Sequence, residues 1–228
     1  MEEGLSRKLA VLLHADVVGS TALVQRDESP AHERIQEAFK RLSETTSAYG
    51  GVAQEVRGDA LVAEFSRASD AVCAALAFQA ANSDHNAIIE DDVRPEVRVG
   101  ISLGEVVVAD GTVTGVGVVL AQRLEQLAEP GGVVVQGSVS ETVPDRMPFE
   151  FVGLGEQTLK GFEHPVRAFV ARLKSNMKVP APEVVTSSTE IKRVAASSGE
   201  ERPALELPDT PSIAVLPFAL SLIHISEP

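Results

Sequence analysis

The sequence of 228 residues contains a single cysteine, Cys73, and only 20 basic residues against 33 acidic ones. One cysteine cannot form a disulfide within the chain, so we interpret Cys73 as a buried, inert thiol in a reducing compartment. The net charge of −13 argues against nucleic acid or an anionic membrane surface as a primary partner. A nucleotide could still bind if metal ions offset its charge.

Long apolar segments are also missing from the sequence. No apolar run approaches the roughly 18 residues that are needed to span a bilayer. The first residues, MEEGLSRK, are charged and lack the apolar region of a signal peptide. We therefore expect a cytoplasmic protein with no membrane partner. The length of 228 residues separately predicts one domain of about 100 to 200 residues with a smaller appendage.

The most informative stretch present is LAVLLHADVVGST, from Leu9 to Thr21. Its apolar run predicts a buried strand, which ends at the carboxylate of Asp16 and passes into a turn at Gly19. Such a strand end can bring the hard oxygen ligands of a Mg²⁺-like ion close to helix N–H groups that point at an anion. An aspartate after a buried strand is also a common N-cap or turn residue. This stretch alone leaves both interpretations open.

Strand-like and helix-like patterns alternate from residue 8 to residue 173, which predicts an α+β domain with a mixed β-sheet and packed helices. Ser29 is the predicted N-cap of the second helix, and residues 83–92 are predicted to be a loop. The predicted strands are 8–15, 52–57, 60–65, 94–108, 133–136, 149–154 and 166–173, and the predicted helices are 21–27, 29–49, 66–82, 115–128 and 138–143.

The composition changes after the last predicted strand. Residues 174–211 are rich in Pro, Ser, Glu and Lys and show little periodicity, which predicts a flexible linker. The segment PSIAVLPF then resembles the first strand of a further domain, so residues 212–228 are interpreted as a truncated domain start or a foreign tail. We predict one folded domain over residues 6–173.

Five motifs, taken in chain order, resemble the class III adenylate/guanylate (nucleotidyl) cyclase catalytic domain. They are DVVGST, the Gly58-Asp59 hairpin, RVGISLGEV, AQRLEQLAEPGG and LKGFEHPV. The resemblance covers residues 6–173 and implies a ferredoxin-like, palm-like fold. It is strongest to the bacterial soluble type, in which the cyclase domain precedes a linker and a PSIAVLPF segment. An effector domain absent from this chain is therefore also implied.

The resemblance implies a homodimer with composite sites, two Mg²⁺ or Mn²⁺ ions, and conversion of ATP or GTP to the 3′,5′-cyclic monophosphate with release of pyrophosphate. Asp16 and Asp59 match the two metal-bridging positions, and the carbonyl of Val17 would complete the shell of one metal. Taken alone, Asp59 fits a hairpin turn residue better than a ligand.

Further positions match groups that contact the substrate. Arg123 matches the arginine that stabilises the reacting phosphate, and Lys160 matches a lysine that reaches the triphosphate. An exposed loop lysine without a ligand is an equally good interpretation of Lys160. The amides that would hold phosphate oxygens are those of Val18, Gly19, Ser20 and Thr21.

Three positions depart from the family pattern. Val119 stands where an asparagine usually orients the ribose, and the loss of one transition-state hydrogen bond typically costs about 10² to 10³ in rate. Val116 replaces the usual aspartate or threonine at the base, and Glu55 replaces the usual lysine of adenylate-forming members. A glutamate could accept hydrogen bonds from guanine N1 and N2, or Glu55 could be a solvent-facing strand residue. These positions therefore do not decide between ATP and GTP.

The alternative function is a catalytically weak or inactive pseudo-cyclase that acts as a dimerising nucleotide-sensing module. A plain interaction domain of the same fold is the third.

Overall fold

The computed structural model describes residues 6–57, 60–109 and 112–182, which all belong to one compact unit. The predictions for Gly58-Asp59, for the turn at Asp110-Gly111, and for the linker and tail after residue 182 lie outside the described residues. Within the described ranges, no helix is long and apolar enough to cross a membrane.

Eight strands and five helices form the described fold. The strands are β1 (Ser6–Val17), β2 (Val52–Arg57), β3 (Ala60–Phe65), β4 (Val97–Ala109), β5 (Thr112–Thr114), β6 (Val133–Gln136), β7 (Phe149–Gln157) and β8 (Val166–Leu173). The helices are α1 (Ser20–Arg26), α2 (Glu28–Ala48), α3 (Ala68–Ala87), α4 (Val116–Glu125) and α5 (Gly137–Thr142).

All eight strands join one sheet in the order β2-β3-β1-β4-β6-β8-β7, with β5 paired to β4. β4 and β6 run parallel, and the other neighbouring pairs are antiparallel. This mixed sheet with packed helices confirms the predicted α+β class. The central strands β1 and β4 share the longest register, from Ser6 opposite Val108 to Val17 opposite Val97.

Helices cover both faces of the sheet, which explains why β1 is apolar almost throughout. Leu13 and Ala15 pack in the core under α2 and α3. Ala10 and Leu12 pack on the other face, in a cluster that includes Ala121 of α4. Because successive strand residues point to opposite faces, Asp16 lies on the α4 face together with Leu12.

Glycines in β4 let α4 lie directly on the sheet. A Cβ atom built on Gly100 would come within 2.1 Å of the Ala121 carbonyl oxygen, and one on Gly104 would come within 3.0 Å of the Gly117 Cα. Any side chain at Gly100 would therefore push the helix away. This close packing fixes which residues of α4 face outward.

Several predicted boundaries are wrong. α2 begins at Glu28 with Asp27 at its N-cap, so Ser29 lies inside the helix rather than at the cap. α3 continues to Ala87 through half of the predicted loop, because the side-chain amides of Asn82 and Asn86 both donate to the Pro95 carbonyl. Such long-range hydrogen bonds leave no periodic signal in the sequence.

Two further features were not predicted. The three-residue strand β5 pairs with the end of β4 and is too short to show an alternating pattern. The residues directly after β8 also pack on the domain, since the Tyr49 hydroxyl donates to the Pro180 carbonyl at 2.8 Å and Val179 packs against the core. The packed part of the chain thus extends beyond the predicted boundary at residue 173.

Candidate active site

Asp16 lies next to the end of β1, paired with Ala60 of β3 on one side and Arg98 of β4 on the other. Its side chain is 26% exposed, and the Nη2 atom of Arg98 donates to Asp16 Oδ2 at 3.4 Å. Asp59 lies outside the described residues, but it directly precedes Ala60 in the sequence. β3 therefore begins opposite Asp16, at the residue that follows Asp59 in the sequence.

The turn after β1 changes one predicted contact. Val17 is buried, and the backbone N–H of Val18 donates to the Glu96 carbonyl at 2.8 Å. The prediction that the Val18 amide holds a phosphate oxygen is therefore corrected, because that N–H is already engaged.

The remaining residues of the turn open α1. Gly19 occupies the N-cap in the left-handed region, with φ of 61°, and its carbonyl accepts from the N–H groups of Ala22 and Leu23. Residues other than glycine rarely adopt this conformation. Ser20 and Thr21 form the first turn of the helix, and Thr21 is exposed.

The outward face of α4 carries three of the predicted site residues. Val116 is 69% exposed and Val119 is 42% exposed. Arg123 is half-buried and follows Val119 by four residues, which places the two on one helix face. Nε of Arg123 donates to the Lys160 carbonyl at 3.2 Å, and its Nη1 donates to Gln126 Oε1 at 3.2 Å.

The loop between β7 and β8 is fixed against α4. Leu159 is buried in a cluster with Leu120 and Leu124 of the helix, whereas Lys160 next to it is exposed. The Arg123 guanidinium holds this loop through the backbone carbonyl of Lys160, whose side chain is exposed. The structure thus joins Arg123 to the backbone of the other predicted cationic residue, Lys160.

Asp16 and Arg123 lie on different sides of α4. The sheet order places β1 and β8 on opposite sides of the β4-β6 pair. Arg123 reaches toward the loop that precedes β8, whereas Asp16 ends β1. Glu55 pairs with Val62 in the β2-β3 ladder, and its side chain lies outside the description. The carboxylate and the two cations therefore form two separate groups within one chain.

Three charged or titratable residues behind Asp16 were missed as part of the site. Nε of Arg98 lies 2.8 Å from Oε1 of Glu125, and His14 Nδ1 lies 3.9 Å from Oε2 of the same carboxylate. Burial raises the pKa of Glu125 to about 7, and burial lowers the pKa of His14 to about 4. A glutamate on the buried stripe of α4 is the signal that could have revealed this group.

The oxygen donors at this strand end fit a hard divalent cation. Asp16 offers a partly exposed carboxylate, and Mg²⁺ and Mn²⁺ favour carboxylate and carbonyl oxygen. Among the described residues, no group of three or more His, Cys, Asp or Glu side chains is assembled for a metal. A two-carboxylate site would need Asp59 as well.

Residues 6–172 match the family described as the adenylate and guanylate cyclase catalytic domain. A Rhizobium meliloti protein named "Putative adenylate cyclase 3" is 34% identical over 218 residues, which cover 95% of this chain and 34% of that protein. A Streptomyces coelicolor protein named adenylate cyclase is 34% identical over 141 residues, which cover 61% of this chain and 35% of that protein. The chain thus spans about a third of the length of these two relatives.

Solved structures show the same fold. The adenylate/guanylate cyclase/hydrolase from Silicibacter pomeroyi is 31% identical with a TM-score of 0.67, covering 73% of this chain and 98% of that one. The adenylyl cyclase CyaB from P. aeruginosa is 22% identical with a TM-score of 0.63, covering 77% of this chain and 100% of that one. The predicted class III cyclase fold is confirmed.

Proposed function

This chain belongs to the adenylate and guanylate cyclase catalytic-domain family, and we propose that it converts ATP, or alternatively GTP, to the 3′,5′-cyclic monophosphate and pyrophosphate. The single observation that carries the proposal is the register of the central strands. Ala60, the residue that follows Asp59 in the sequence, pairs with Asp16 at the start of β3. A second carboxylate beside Asp16, which Asp59 would supply, would suit a pair of divalent cations.

The metal half of the site consists of Asp16, Asp59 and the Val17 carbonyl, which would hold two Mg²⁺ or Mn²⁺ ions. When bound, such ions activate the ribose 3′-hydroxyl and offset the negative charge of the triphosphate. The backbone amides of Gly19, Ser20 and Thr21 lie directly after this strand end and would bind phosphate oxygens. The amide of Val18 is not among them, because it donates to the Glu96 carbonyl.

The second half of the site is the outward face of α4 with the adjoining loop. Arg123 would stabilise the charge that develops on the α-phosphate, and Lys160 would contact the triphosphate. Because this group and Asp16 lie on different sides of α4, we propose that each active site combines Asp16 and Asp59 of one chain with Arg123 and Lys160 of a second copy. The exposed Val116 and Val119 would be covered in that homodimer.

The choice of purine is part of the proposal. The names of the two relatives favour ATP, whereas a carboxylate at Glu55 would accept from the N1 and N2 donors of guanine. Val116 and Val119 offer only hydrocarbon to the base and the ribose, so turnover is expected to be low.

The exposed valines also motivate a second candidate function. A chain that binds nucleotide at the metal half, but lacks groups to orient base and ribose, would act as a dimerising nucleotide-sensing module without turnover. Val116 and Val119 are the observation that favours it. Effector domains outside this chain would then respond to dimerisation.

Product identification separates the two candidates. The purified chain is incubated with ATP or GTP and with Mg²⁺ or Mn²⁺, and the products are identified by chromatography and mass spectrometry. The cyclase proposal expects a cyclic nucleotide that disappears in Asp59→Ala. If neither nucleotide yields a cyclic product, while nucleotide still drives dimer formation, the sensing module replaces the enzyme.

A further inference from the structure

Arg98 is shared between a buried carboxylate and the exposed one at the proposed metal site. Its Nε lies 2.8 Å from Glu125 Oε1, and its Nη2 lies 3.4 Å from Asp16 Oδ2. The Glu125 contact is an ion pair without the alignment of a hydrogen bond. One guanidinium thus bridges the last residue of α4 and the end of β1.

The backbone makes this bridge possible. The β1-β4 register places Arg98 opposite Asp16 and Gly100 opposite His14. A Cβ atom on Gly100 would come within 2.3 Å of the Glu125 backbone nitrogen, so glycine lets Glu125 come down onto the sheet beside Arg98. Glu125 is 1% exposed, and a carboxylate so deeply buried is retained only with a charged or hydrogen-bonded partner.

We infer that Glu125 is a positioning residue that holds the Arg98 guanidinium partly away from Asp16, and thereby sets how tightly Asp16 binds a divalent cation. This inference rests on the proposed role of Asp16 as a metal ligand. A guanidinium next to Asp16 competes with a metal ion for the same carboxylate, because both are cations. Glu125 weakens that competition by attracting Arg98 to the buried side.

The inference fixes the sign of two substitutions. Glu125→Gln removes the attracting charge, so Arg98 pairs with Asp16 alone and divalent cations bind about five- to tenfold more weakly, the range expected for one partly exposed ion pair. In Arg98→Gln/Glu125→Gln the competing cation is gone as well. Divalent cations should then bind at least as tightly as in the wild type.

The test is a Mn²⁺ titration of the full chain at pH 8, followed by the electron paramagnetic resonance signal of free Mn²⁺. Asp16→Asn is measured in parallel, and folding is checked by circular dichroism and thermal unfolding. The expected result is weaker Mn²⁺ binding in Glu125→Gln and restored or tighter binding in the double variant. In activity assays, Glu125→Gln should need a five- to tenfold higher Mn²⁺ concentration for half-maximal rate, with kcat at saturation changed by less than about twofold.

Each outcome decides between the proposals. Unchanged Mn²⁺ binding in folded Glu125→Gln, or a double variant that binds more weakly than the wild type, overturns the role of Glu125. A purely structural pair would lower affinity in both variants. If Glu125→Gln does not fold, Glu125→Asp is measured instead: its shorter side chain holds Arg98 less well, so Mn²⁺ should bind more weakly, and unchanged binding overturns the role of Glu125. If wild-type binding is insensitive to Asp16→Asn, the metal assignment in the proposed function is wrong, and this inference is overturned with it.

Discussion

The two sides of α4 have opposite chemical character. Its sheet-facing side ends in the buried carboxylate of Glu125, which is joined through Arg98 to Asp16. Its outward side carries exposed hydrocarbon at Val116 and Val119, with Arg123 as the cation at its end. The metal half of the proposed site is therefore supported by a charged network, whereas Val116 and Val119, at the positions proposed to face base and ribose, carry no hydrogen-bonding group. Under the proposed function, the side chains that would stabilise charge are retained, whereas those that would orient the substrate are replaced by valine.

The largest effect is expected from Asp16→Asn. If Asp16 bridges the metal ions as proposed, its loss removes several kcal/mol of transition-state stabilisation, and cyclic nucleotide formation should fall by at least about 10³-fold. Asp70→Asn is the matched control, because Asp70 of α3 is a partly exposed carboxylate that pairs with Arg67. Initial rates at saturating Mn²⁺ measure both variants. Equal losses in both would show that Asp16 has no special role.

Arg123→Ala tests the outward side of α4. Removal of one cation from the developing charge on phosphate should lower kcat by about 10²-fold and change KM less. Arg167→Ala is the control, since Arg167 forms an exposed ion pair with Glu141. A rate for Arg123→Ala within twofold of the control would remove Arg123 from the catalytic machinery.

The buried network predicts opposing pH dependences of stability. The pKa of Glu125 is raised to about 7 in the folded state, so folded protein binds the extra proton and stability falls as pH rises from 4.5 to 7. The pKa of His14 is lowered to about 4, so unfolded protein binds the extra proton and stability rises from pH 4 to 6.5. The two slopes oppose each other in the wild type between pH 4.5 and 6.5.

Substituting Glu125 or His14 singly should reveal the contribution of each group to the pH dependence of stability. Relative to the wild type, Glu125→Gln should gain stability as pH rises from 5 to 6.5 and His14→Gln should lose it, each by about 2 kcal/mol. Urea unfolding at several pH values measures both differences. Parallel curves for all three proteins would show that neither group titrates differently in the folded state.

The smallest expected effect is an increase in turnover. Val119→Asn restores a hydrogen-bonding group beside Arg123, and we expect turnover to rise about five- to tenfold, a part of what one transition-state hydrogen bond typically contributes. Val152→Asn is the control, because Val152 is 44% exposed against 42% for Val119 and lies on β7. A rise in both variants, or in neither, would mean that Val119 does not face the ribose.

Local patterns were sufficient for much of the fold. The strands β6 and β8 match their predicted bounds because each is a short apolar run between clear breaks. The end of α3 was missed because Asn82 and Asn86 are held by a carbonyl of Pro95, which lies in another segment. The motif series gave the family, which residues 6–172 match.

The supporting network of the site was beyond sequence reasoning. Arg98 and Glu125 are 27 positions apart and meet only because β4 pairs with β1 and α4 lies on Gly100. A side-chain pattern cannot report such a contact, since it depends on register and helix docking together. The engaged N–H of Val18 was missed for the same reason, because its partner Glu96 lies in a different segment.

Complementation between two inactive variants tests the central claim most directly. Asp16→Asn and Arg123→Ala chains are each assayed alone and after mixing and reassembly. If the active site combines the two halves from different copies, mixed dimers contain one intact site, and the mixture should recover roughly a quarter of wild-type cyclic nucleotide formation by random pairing. A mixture as inactive as its components, beside an active wild type, would contradict a site shared between two copies.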